Sequence, residues 1–87
     1  MYKKTYQITG CTSAGRPVYV GFCDALRIAI AYFIEKYPRF KGRAKICTQL
    51  AEDVGNGLLC AEYEKWEIID SFQSTSELKE YLSKSAQ

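Results

Sequence analysis

The chain has 87 residues, 47 % of them hydrophobic and 25 % charged, with a net charge of +2. That describes one ordinary globular domain and excludes a disordered or strongly polyanion-like chain. Histidine is absent, which removes the usual general base, the usual triad member and the commonest transition-metal ligand together.

The opening, Met1-Tyr2-Lys3-Lys4-Thr5-Tyr6, alternates polar and apolar residues and carries no apolar h-region, so no signal peptide is expected. Alternation predicts a first strand over Lys4 to Thr12, with Tyr6 and Ile8 on one face and Thr5, Gln7 and Thr9 on the other. Ser13-Ala14-Gly15-Arg16 is a turn, and Pro17 to Phe22 a second strand with Val18, Val20 and Phe22 on one face. The short link makes them an antiparallel hairpin.

Asp24 is the expected N-cap of a helix from Ala25 to about Tyr37, ended by Pro38. Leu26, Ile30, Phe33 and Tyr37 fall at helical spacing and should face the sheet, flanked by Ala29 and Ile34. Ile28 and Tyr32 lie on the back of that helix as i, i+4 neighbours. A helix apolar on both sides in so small a chain either meets a protein partner or a second copy there or is covered by the C-terminal segment.

A basic loop, Arg39 to Gly42, leads into a third strand, Arg43 to Ala51, with Ala44, Ile46 and Leu50 on one face. Gly55-Asn56-Gly57 is a turn signal and Leu58 to Tyr63 a fourth strand. Trp66 to Phe72 is either a fifth strand or a continuation past an irregularity at Glu64-Lys65. Ser74-Thr75-Ser76-Glu77 fits the capping box, opening a last helix with Leu78, Tyr81 and Leu82 as its stripe. The order β-β-α-β-β-(β)-α gives a single α+β domain over residues 1–87, one antiparallel sheet of four to five strands with two helices on one face. The longest apolar run, Ile28 to Ile34, is too short to span a membrane, and a cytoplasmic location is expected.

The four cysteines, Cys11, Cys23, Cys47 and Cys60, stand 12, 24 and 13 positions apart with no close pair. That spacing does not build a four-cysteine zinc site, and reduced, half-buried thiols are expected. Cys23, near the start of the first helix, is where a helix dipole would lower a thiol pKa. No phosphate-binding glycine loop is present. The carboxylates Glu62, Glu64, Glu67 and Asp70 look like a solvated face rather than an acid/base pair. The expectation is therefore a protein that is not an enzyme and uses no cofactor and no metal.

Two charged surfaces stand out. Residues 1–51 hold nine cations against two acids, a balance of +7, and residues 52–87 hold three against eight, a balance of −5. Lys36, Arg39, Lys41, Arg43 and Lys45, interleaved with Tyr37 and Phe40, form a candidate nucleic-acid site, cations for phosphates and rings for bases. The acidic residues Glu62, Glu64 and Glu67, with Ile28 and Tyr32, form the candidate surface for a protein partner. From Asp24 onward, helix, three strands, helix is also the order of double-stranded-RNA-binding domains. Ser74-Thr75-Ser76-Glu77 stands where that family carries a lysine-rich run.

The Lys4-Thr5-Tyr6-Gln7-Ile8 strand, the alanine-rich Ala29-Ile30-Ala31-Tyr32 helix and the Asn56-Gly57-Leu58 hairpin before an acidic, Trp66-bearing stretch resemble small phage-encoded inhibitors of bacterial defence, anti-CRISPR proteins among them. The resemblance is one of size and layout and transfers no functional residue. It implies a stoichiometric inhibitor, a viral protein acting in the host cytoplasm, that binds a bacterial nuclease complex or blocks its nucleic-acid groove.

Overall fold

The computed structural model describes residues 2–56, 58–60 and 65–85. The elements run β1 (Tyr2–Thr12), β2 (Pro17–Cys23), α1 (Leu26–Lys36), β3 (Lys41–Gly55), β4 (Leu58–Cys60), β5 (Glu67–Ser74) and α2 (Thr75–Ser85). All pairings are antiparallel, in the order β2-β1-β3-β4, with β5 also on β3. The fold is the expected α+β sheet with its helices on one face.

β4 and β5 share one lane beside β3. Cys60 pairs with Glu52, and Glu67 with Thr48. Seven chain positions separate the two pairs along the sequence, against four on β3. The Trp66 to Phe72 stretch is therefore a separate fifth strand, and the part of the expected fourth strand beyond Cys60 lies outside the described residues.

The core lies between sheet and helices. Ile8, Val18, Val20, Ala44, Ile46 and Phe72 meet Ala29, Ile30 and Phe33 of α1 and Leu78 of α2. Phe33, Phe40 and Phe72 pack edge to face, with centroids 5.2–5.8 Å apart, each pair worth about 0.5–1.5 kcal/mol beyond its burial. Leu26, Ile34, Tyr37, Tyr81 and Leu82 border the cluster. Gly10 has a steric role at the centre of the sheet. A Cβ there would stand 2.1 Å from the Arg43 carbonyl oxygen and 2.5 Å from the Ala44 Cα.

Three local expectations are corrected. Asp24 is not the N-cap of α1. Ala25 is, in extended conformation and without a side-chain cap bond, because it is the Ala25 carbonyl that accepts the Ala29 amide. A register shift between Tyr6 and Ile8 adds one residue to β2, so Cys23 stands opposite Tyr6 and enters the core. The Phe22 side chain is outside the described ones. β1 and β3 also run longer than their alternation suggested, beginning at Tyr2 and ending at Gly55.

The α2 start matches its sequence signal with one shift. The Glu77 amide donates to Ser74 Oγ at 3.2 Å, and the Glu77 carboxylate accepts from the Gln73 amide at 2.8 Å, one residue before the usual partner. No helix is long and apolar enough to cross a membrane among the described residues.

Candidate functional site

α1 turns Ala29, Ile30 and Phe33 inward and leaves Ile28 44 % and Tyr32 56 % exposed. Its helical period dictates this, since Ile28 and Tyr32 are one turn apart on the opposite side. β2 borders α1 beside Tyr32. Tyr19, 48 % exposed, sits on the open edge of the sheet, and with Val20, Gly21, Tyr32, Glu35 and Lys36 it lines a groove of about 660 Å³. Gly21 leaves room for the Tyr19 hydroxyl, which would lie 2.1 Å from a Cβ at that position.

Tyr37 joins β2 to α1 beside the groove. Its ring packs on Phe33 at 4.9 Å, and its hydroxyl accepts the Tyr19 amide at 3.2 Å, tying the free edge of β2 to the end of α1. Lys36 lies over the Tyr37 ring, its Nζ 5.5 Å from the centroid. Sequence reasoning found Ile28 and Tyr32 and missed Tyr19. Only the position of β2 beside α1 joins that ring to them.

The 36–45 segment does not act as one patch. Lys36 belongs to the groove. Phe40 is 5 % exposed and packed between Phe33 and Phe72, so its ring is not offered to a base. Tyr37 is likewise engaged. Arg39, Lys41, Arg43 and Lys45 are exposed. Arg43 and Lys45 share the helix-free face of the sheet, because they stand opposite Cys11 and Thr9, whereas their neighbours Ala44 and Ile46 stand opposite Gly10 and Ile8 on the core side.

The charge separation seen in the sequence is laid out along β3, which begins at Lys41 and reaches Glu52-Asp53 near its other end. Separation is partial, since Lys3 and Lys4 of β1 pair with Ala51 and Leu50 near that acidic end. Glu67 is exposed beside Thr48. Glu62 and Glu64, the other acidic candidates, lie outside the described residues.

A second apolar surface was not foreseen. Tyr2 and Leu50 are 65 % and 63 % exposed, and with Trp66 and Ile69 they line a depression on the helix side of the sheet. Leu50 shares its face with Ile46, as expected, yet is uncovered. Eleven helical residues cover only about 16 Å, less than half the reach of the fifteen-residue β3.

The two buried thiols are not activated. Cys23 and Cys47 are buried, and burial pushes both thiols up from the ordinary range. The Asp24 carboxylate adds to the rise at Cys23, while Lys45 opposes it at Cys47. The expected lowering at Cys23 by the helix dipole is overturned, because desolvation of the thiolate outweighs it. Cys11 is an exposed free thiol. Among the described residues no group of three or more Cys, Asp or Glu side chains is placed to hold a metal. Comparison with known proteins returns no matching family model, no matching curated protein and no matching solved structure.

Proposed function

We propose that the protein is a non-enzymatic binding protein that engages a protein partner through the groove between α1 and β2. One observation carries this reading: Tyr19 and Tyr32, from separate elements, stand half-exposed around one groove, with the exposed Ile28 one helical turn before Tyr32 on α1. Tyrosine and isoleucine side chains left this open are anchors of the kind that dominate interfaces, with Glu35 and Lys36 as a polar rim.

The partner is a different protein rather than a second copy. The resemblance to phage-encoded inhibitors supports a nucleic-acid-processing complex as the class of partner and stoichiometric inhibition as the mode of action.

The test is capture from a bacterial lysate with matched variants. A species retained by the wild type, lost with Ile28→Asp or Tyr32→Ala and kept by Lys79→Gln supports the reading. Retention by all of the variants sinks it.

A further inference from the structure

We infer that the helix-free face of the sheet, at its basic end, is a binding site for the phosphate backbone of nucleic acid. This is a different surface from the α1 groove and stands independently of it.

The site is assembled from two stretches that are distant in sequence. The turn after β1 is tied to the start of β3, since the Ser13 amide and hydroxyl both donate to the Lys41 carbonyl, at 2.9 and 3.2 Å. The same turn is closed on itself by the Thr12 amide donating to the Arg16 carbonyl and the Arg16 amide donating to Thr12 Oγ1. Arg16 therefore closes the turn whose Ser13 is bonded to Lys41, and Arg43 stands opposite Cys11, which pairs on its other side with Pro17, the residue after Arg16.

Arg16, Lys41, Arg43 and Lys45 are all exposed, and none has an ion-pair partner among the described residues. Among the described residues no acid pairs with this end of β3. The β5 residues beside Lys45 and Lys41 are Ser71 and Ser74. Asp70 stands opposite Ile46, on the core side, and its carboxylate accepts the Ser71 amide. Glu77 is engaged with the Gln73 amide. No described acid is paired with these cations along β3, and a polyanion gains by releasing its counterions there.

The rings that would read bases are not available, since Phe40 is in the core and Tyr37 is packed on Phe33. The contact is therefore to the backbone and independent of sequence, and duplex suits it as well as a single strand.

The test is binding of a labelled DNA duplex of mixed sequence over a salt series. Four phosphate contacts give a log–log salt slope of about −3.6. Arg43→Gln with Lys45→Gln brings it to about −1.8 and weakens binding, while Lys79→Gln with Lys84→Gln, an equal charge change on α2, leaves it near the wild-type value. The proposal is overturned if the duplex does not bind at low salt, or if both double variants lose affinity equally.

Discussion

The hydroxyl of Thr75 donates to the carbonyl of Tyr37 at 2.6 Å, joining the first turn of α2 to the end of α1 across 38 positions of chain. The same oxygen accepts the Phe40 amide at 3.0 Å, and Thr75 is 3 % exposed. One side chain thus fixes the link that carries Arg39 and sets where β3 begins. Thr75→Val keeps the shape and strands a buried amide and a carbonyl. It should cost about 2–3 kcal/mol in denaturant unfolding, with Thr75→Ser recovering most of the loss.

Gly10 should resist the smallest substitution. A methyl group at that position meets backbone atoms of Arg43 and Ala44, which a rotamer change cannot move aside. Gly10→Ala should lower stability by about 1–3 kcal/mol as the strands part. Gly15→Ala, whose added Cβ meets nothing within 4 Å but whose φ is +85°, should cost about 1 kcal/mol. Thermal unfolding of the two variants orders them.

Phe40 and Arg43 separate stability from surface function. Phe40→Ala opens a cavity among Phe33 and Phe72 and should cost about 3–5 kcal/mol. Arg43→Gln, on an exposed position, should stay within about 0.5 kcal/mol of wild type. Equal destabilisation by both would mean that Arg43 has a structural role.

The local signals in the sequence were sufficient for the β1–β2 hairpin, the Leu26, Ile30, Phe33 and Tyr37 stripe and the Ser74–Glu77 cap, because each depends on neighbours within a few residues. Long-range outcomes were not legible. Phe40 and Arg43 look alike as parts of a basic aromatic loop, and only the docking of α2 sends Phe40 inward. Tyr19 joins Tyr32, and Arg16 joins Lys41, through element placement that no spacing encodes. Cys23 replaces Phe22 opposite Tyr6 through a single extra residue in β2. Asp24 is one position too early to cap α1, a boundary that depends on which carbonyl starts the helix.

The buried thiols make a prediction about pH. Cys23 and Cys47 hold their protons to higher pH when folded than when unfolded. Their contribution to stability is therefore complete below the unfolded thiol pKa and is lost as pH rises through the folded values. Unfolding midpoints should fall on the alkaline side, and less steeply for Cys23→Ala with Cys47→Ala. In alkylation followed by peptide mass analysis at neutral pH, Cys11 should label before Cys23 and Cys47, which should react only as the protein opens.

The most direct measurement on the α1 groove is photo-crosslinking in bacterial cells from a benzophenone amino acid placed at position 32, with position 79 on α2 as control. The account predicts a discrete adduct with a second, different protein from position 32 and none from position 79. An adduct of the chain with itself, or no adduct from position 32, would contradict it.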